Sequence, residues 1–218
     1  MTPVLRGMLL SGVVLMGFTV VGTTLVALTY EGTAERIAAN ERAALLGRLA
    51  ELAPAGGYDN ELLQDTTTLQ TPAFGSLSPQ LVYRARRDGE PVAAFATIVA
   101  LDGYSGPIRL LVGVRPDGSL TGVRVIAHKE TPGLGDQLES ERSDWILAFA
   151  GKGLGAPPPQ QWAVRKDGGD FDQFTGATVT PRAVVGALAR FLAYFEQNRD
   201  AFFAPTAETA APAKELSP

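Results

Sequence analysis

The apolar positions of the chain are concentrated first in one unbroken run near the amino terminus. Residues 7–30 form a stretch of 24 residues without a charge. As an α-helix this stretch would extend about 36 Å, which is enough to cross a hydrocarbon layer of about 30 Å with some tilt. A cleaved signal peptide is the alternative, but its apolar core is shorter, about 7–15 residues. The pattern therefore favours a transmembrane anchor over residues 1–30.

Beyond the anchor, alanine and leucine mix with glutamate and arginine. Residues 31–56 are predicted as a helical linker, and the folded domain is predicted over residues 57–203. Residues 204–218 are polar and rich in alanine and proline, which predicts a disordered tail. The apolar side chains of the linker form a partial stripe at helical spacing: Ile37, Leu45, Leu49 and Leu52.

Two segments of the domain have the pattern of β-hairpins. Residues 80–101 contain two extended apolar runs on either side of Asp88-Gly89. Residues 107–130 repeat this arrangement around Asp117-Gly118. Because Asp-Gly between alternating runs is a strong hairpin signal, an antiparallel sheet is predicted.

The rest of the domain has mainly helical patterns. Residues 140–153 are predicted as a helix that stops at its glycines, and residues 161–166 as a short strand. Residues 180–203 are predicted as an amphipathic helix that packs on the sheet. The fold class is therefore α+β, with a transmembrane helix, an antiparallel sheet and packed helices. The apolar face of the last helix comprises Val184, Val185, Leu188, Phe191, Leu192 and Phe195.

Composition restricts the chemistry that the domain can carry. The chain has no cysteine and one histidine, which excludes thiolate-bound zinc, an iron–sulfur cluster held by its own thiolates and a multi-histidine metal site. The net charge of −4, without a lysine or arginine cluster, does not support a nucleic-acid partner. Redox chemistry in this chain would therefore need a bound organic cofactor.

A cluster of hydroxyl groups precedes the last predicted helix. Thr175, Thr178 and Thr180 lie within residues 170–181. Thr180 followed by Pro181 has the pattern of an N-cap and first helical residue, so Thr178 is expected near the positive end of the helix dipole. A phosphate on Thr178 would be stabilised there. Capping alone also explains threonines at a helix start, and from composition both interpretations remain open.

Three motifs add a family resemblance. Residues 172–180 resemble the covalent flavinylation motif D-x-x-(S/T)-G-A-T-x-(S/T) at every specified position. Residues 128–135 are similar to the H-x-E-T-P-G-L-G element of the same FMN-binding domains, and residues 102–108 to their G-Y-x-G-x-I segment. The resemblance implies that Thr178 is joined to FMN by a phosphoester. A separate Mg-dependent flavin transferase would install it, with FAD as donor.

The same resemblance implies a set of site residues without a catalytic residue or a resident metal. Asp172 would support attachment, by binding the magnesium ion or orienting Thr178, although an Asx-turn explains it equally well. His128 is interpreted as an ordinary strand-end histidine rather than a proton relay. The residues implied to bind the cofactor are Thr178, Thr175, Gly176, Ala177, Thr180, Glu130, Thr131, Leu134, Gly135, Tyr104 and Ser105.

With its anchor and order of elements, the chain resembles the G-subunit family of Rnf/Rsx electron-transport complexes. The resemblance implies an electron-transfer subunit of a complex that couples electron flow between ferredoxin, or a similar donor, and NAD to ion translocation. Its partners would be the other Rnf/Rsx subunits, the flavin transferase and membrane lipid. The chain would lie in the bacterial inner membrane with its domain on the periplasmic side, and would not be a complete enzyme alone.

Other interpretations remain open from the sequence. The C-subunit of the sodium-translocating NADH:quinone reductase shares the anchor and the motif. A cofactor-free periplasmic scaffolding or binding module would purify without colour. A flavin-bearing redox sensor would need a signalling domain across the membrane, for which only six residues precede the anchor. A donor to an extracellular reductase has no such requirement.

Overall fold

The computed structural model describes residues 2–54 and 56–204. Most of the predicted tail, residues 205–218, lies outside the described residues. The chain divides into two compact units, Met1–Gly47 and Arg48–Pro218.

Helix α1 (Pro3–Glu51) contains the predicted anchor and most of the predicted linker without a break. It is the one helix among the described residues that is long and apolar enough to cross a membrane. Its large apolar side chains between Val4 and Tyr30 are exposed, with no protein cover. Exposed leucines, valines and methionines over a full membrane thickness are expected in lipid rather than in water. This supports a single-pass membrane protein.

The second unit contains one antiparallel sheet of five strands in the order β1-β2-β3-β4-β5. Both predicted hairpins are confirmed. At the first turn, Asp88 and Gly89 have positive φ values of 52° and 81°, as a type I′ turn requires. The strands are β1 (Thr66–Leu69), β2 (Gln80–Arg87), β3 (Glu90–Ala100), β4 (Ile108–Val114) and β5 (Leu120–Ala127).

Helix α2 (Val179–Gln197) covers one face of the sheet, and the short α3 (Arg199–Phe203) follows it. The predicted apolar face is confirmed, because all six of its residues are buried. They share one hydrophobic core with strand residues such as Ile98 and Leu110. This packing fixes the first turn of α2 at the edge of the core, where the threonine cluster lies.

The segment between β5 and α2 differs from its prediction. The predicted helix over residues 140–153 is only a 3-10 helix, Asp144–Phe149. The predicted strand over residues 161–166 is wrong: a single bridge joins Val164 to Phe171. The other 3-10 helices are Pro72–Phe74, Gly135–Leu138, Pro159–Gln161 and Arg165–Asp167.

Candidate functional site

A cavity of 310 Å³ lies where the β3–β4 turn, the loop after β5 and the start of α2 meet. Its size is at the lower end of the range of about 300–1,000 Å³ that is usual for small-molecule sites. Three motifs that are distant in sequence therefore meet around one space. The lining residues are Tyr104, Glu130, Thr131, Leu134, Gly135, Gly176, Ala177, Thr178, Val179 and Thr180.

Thr178 occupies the N-cap position of α2, with φ −64° and ψ −26°, and its side chain makes no capping hydrogen bond. The prediction that Thr180 is the N-cap is wrong, because α2 begins at Val179. Gly176 has a φ of 82°, a conformation that favours glycine, and it turns the chain into the helix. The half-buried Thr178 hydroxyl thus lies at the cavity wall, beside the positive end of the helix dipole.

Thr180 points inward instead of capping the helix. Its hydroxyl is buried and donates a hydrogen bond to Oε2 of Glu130. Oε1 of Glu130 accepts the backbone N–H of Ser105 at 3.0 Å. One carboxyl group therefore connects the turn after β3, the loop after β5 and the first turn of α2.

Apolar side chains form the outer wall of the cavity. Tyr104, Leu134 and Val179 line it and are 72%, 43% and 38% exposed. Such a wall suits the face of a flat aromatic ring. Val179 was not predicted, because the motif leaves its position unspecified; its place next to Thr178 was the only available signal.

Three predicted residues do not line the cavity. Ser105 reaches it only through its backbone bond to Glu130, and Thr175 is exposed in the preceding turn. Asp172 is exposed and forms an ion pair with Arg165 at 2.5 Å. Asp172 lines a separate groove of 370 Å³, so direct contact with a ligand in the cavity is not its role.

An ion pair holds the approach to this site. Arg182, in the first turn of α2, donates to both carboxylate oxygens of Asp167, at 2.6 and 2.8 Å. The hydrogen bond from Arg182 lowers the pKa of Asp167 below its ordinary value, so the pair is ionised at neutral pH. Both side chains are exposed, which makes the pair a guide for the loop rather than a large source of stability.

A larger groove of 540 Å³ lies elsewhere on the domain. Its charged groups pair with one another: Arg124 with Glu51 at 3.1 Å, and Arg142 with Glu139 at 3.8 Å. None of the residues that line this groove belongs to the three motifs. The smaller cavity is therefore the better candidate, because it combines apolar walls, a polar floor and a hydroxyl that does not cap the helix.

Comparison with known proteins agrees with this choice. The FMN-binding domain family matches residues 103–193, a range that contains all three segments of the cavity. The RnfG N-terminal region matches residues 1–52, which cover α1. The domain family supports FMN as the cofactor, and the cavity residues fit a ring with a polar edge.

Three full-length relatives are similar over most of their sequences, and each is named as the G-subunit of an ion-translocating oxidoreductase complex. The relative from Pseudoalteromonas atlantica is 50% identical over 183 residues, covering 84% of this chain and 85% of its own. The one from Pseudomonas aeruginosa is 51% identical over 180 residues, covering 82% and 84%. The one from Vibrio cholerae is 46% identical over 173 residues, covering 79% and 83%.

The chain belongs to the RnfG family. Both the anchor and the FMN-binding domain match, and the similarity to the relatives spans most of the chain. The predicted family is confirmed. The C-subunit of the sodium-translocating NADH:quinone reductase and the cofactor-free module are not favoured.

Proposed function

We propose that this RnfG family member is an electron carrier within a membrane complex, with one FMN esterified to Thr178. The observation that carries the proposal is the Thr178 hydroxyl, which makes no capping bond, at the wall of a 310 Å³ cavity. The relatives are named for an ion-translocating oxidoreductase complex, which supports coupling of electron transfer to ion movement. The other members of the complex supply and remove the electrons.

The attachment follows from the position of the hydroxyl. Thr178 Oγ attacks the FMN phosphorus of FAD, the pyrophosphate bond breaks, AMP leaves, and the hydroxyl proton passes to a base of the transferase. The phosphoester keeps a negative charge, which the start of α2 stabilises by about 0.3–1 kcal/mol. The small neighbours Gly176 and Ala177 leave the backbone open to the phosphate.

Asp172 acts during attachment rather than afterwards. It lies before the acceptor threonine but outside the cavity, and its carboxylate is exposed on the surface beside Arg165. An exposed carboxylate can reach the magnesium ion of a docked flavin transferase, since Mg²⁺ prefers oxygen ligands. Mature protein would no longer need this contact.

The membrane location is part of the same proposal. Lipid surrounds the apolar part of α1, and the FMN-binding domain lies on the periplasmic side of the bacterial inner membrane. A covalent bond prevents loss of FMN in a compartment without a flavin pool. The chain carries electrons through its single flavin and works as part of the complex, not as a complete enzyme.

The test is in-gel fluorescence of the denatured full-length protein after co-expression with a flavin transferase. The wild-type band is expected to fluoresce, and Thr178→Ala is expected to lose the signal, with the FMN mass on the wild-type peptide that contains Thr178. Gln173→Ala is the matched control, because Gln173 is exposed and stands at an unspecified motif position. Fluorescence in Thr178→Ala would place the bond elsewhere and overturn the proposal.

A further inference from the structure

Glu130 is the one charged residue among the described residues that line the cavity. Its side chain is only 4% exposed. A carboxylate held this far from water is costly unless hydrogen bonds replace the lost hydration. Its presence in the wall of a cofactor cavity therefore requires a physical account.

The two carboxyl oxygens of Glu130 have separate neutral partners. Oε1 accepts the Ser105 N–H at 3.0 Å, and Oε2 accepts the Thr180 hydroxyl. Hydrogen bonds to both oxygens favour the ionised form of a carboxyl group. Because both donors are neutral, they stabilise the charge without cancelling it.

Glycine positions show that this carboxylate is tightly enclosed. A Cβ added to Gly103 would lie 3.0 Å from Oε1, and one added to Gly135 would lie 3.0 Å from Oε2. A real Cβ is rarely found so close to another heavy atom. The side chain is therefore confined, and its charge has a fixed position in the cavity wall.

We propose that Glu130 sets the reduction potential of the flavin by keeping a fixed negative charge beside it. This inference rests on the proposed function, that FMN attached to Thr178 occupies the cavity. Reduction adds negative charge to the ring, and a nearby carboxylate opposes that addition, most strongly in a site of low dielectric constant. Glu130 therefore lowers the potential and makes the reduced protein a stronger electron donor.

Glu130→Gln removes the charge and keeps the shape. The amide oxygen accepts the Ser105 N–H, while the amide nitrogen donates to the Thr180 hydroxyl, which can rotate to accept. Glu141→Gln is the matched control, since Glu141 is exposed and near in sequence. Its loss of charge is screened by solvent.

The experiment is a spectroelectrochemical titration of full-length, flavinylated protein in detergent. In Glu130→Gln we expect the reduction equilibrium to shift at least about tenfold toward reduced flavin, which for a two-electron couple is about 30 mV upward. Glu141→Gln is expected to match the wild type. A Glu130→Gln protein with covalent flavin and wild-type potential overturns this inference and leaves attachment at Thr178 intact. Wild-type protein without covalent flavin overturns the proposed function instead.

A second measurement needs no variant and tests the inference if Glu130→Gln does not fold or bind flavin. Wild-type protein with ¹³C-labelled glutamate carboxyl groups is reduced while its infrared difference spectrum is recorded. We expect a carboxylate band that is sensitive to the label and shifts on reduction, because Glu130 experiences the added charge. A spectrum without a labelled carboxylate band would overturn the inference.

Discussion

His128 Nδ1 accepts a hydrogen bond from the backbone N–H of Glu130 at 3.0 Å. This contact assigns the proton of the neutral imidazole to Nε2, which donates to Oε1 of Glu139 at 2.9 Å. The single histidine of the chain thus holds the backbone of the loop that supplies Glu130 to the cavity. Its contacts are those of a positioning residue, in line with the prediction of an ordinary strand-end histidine.

Replacing His128 should loosen the cavity. In His128→Leu the Glu130 N–H loses its acceptor, and we expect a loss of about 1–3 kcal/mol in the free energy of unfolding. Denaturant unfolding of the full-length protein in detergent measures this loss. His128→Asn is the control, since its side-chain oxygen can accept the same N–H. Equal stability of His128→Leu and wild type would contradict the positioning role.

Gly135→Ala should disturb the site directly. The new Cβ would lie 2.8 Å from Cβ of Glu130 and 3.1 Å from Oγ1 of Thr180, so the Glu130–Thr180 contact must shift. We expect a destabilisation of about 1–3 kcal/mol, typical of overpacking, together with weaker flavin fluorescence in the gel assay. Gly155→Ala is the matched control, because a Cβ there meets nothing within 4 Å. Identical behaviour of the two variants would show that Gly135 has room to spare.

The β4–β5 turn should make a pH-dependent contribution to stability. Hydrogen bonds from the Ser119 hydroxyl, at 2.7 Å, and from its N–H, at 2.8 Å, lower the pKa of Asp117. Because the folded state then binds this proton less tightly than the unfolded state, the contribution is complete above the ordinary pKa of about 3.9. It is lost as pH falls through the lowered pKa of the folded state.

The corresponding variant is Asp117→Asn. At neutral pH it is expected to lower the free energy of unfolding by a few tenths to about 1 kcal/mol, since the carboxylate is exposed and screened. The difference from wild type should shrink as the pH is lowered below about 4. Denaturant unfolding at several pH values measures it, with Asp102→Asn as the control for loss of an exposed charge. A difference that stays constant down to the lowest pH would exclude a role for Asp117 ionisation.

Local sequence was sufficient for the elements whose signals are local. Asp88-Gly89 and Asp117-Gly118 marked both hairpins, and the spacing of apolar residues marked the buried face of α2. Strand β1 (Thr66–Leu69) was missed because its four residues show no alternation and it exists only through pairing with β2.

The errors came from contacts between distant residues. The indole N–H of Trp162 donates to the carbonyl of Pro157 at 3.1 Å, which buries this side chain in a loop rather than in the predicted strand. Thr180 has the sequence context of an N-cap, but its hydroxyl is bonded to a carboxylate 50 residues earlier. The motifs identified most residues of the cavity, but no local pattern could show that Glu130 connects their three segments.

The Ser105 amide offers a reporter for events in the cavity. Its proton is held by a side chain that also touches α2, so any change that displaces Glu130 releases this proton to solvent. Hydrogen–deuterium exchange at a single position of the β3–β4 turn would then register changes at the far side of the site. Loading with cofactor, or a change in its charge, could be followed there without an optical signal.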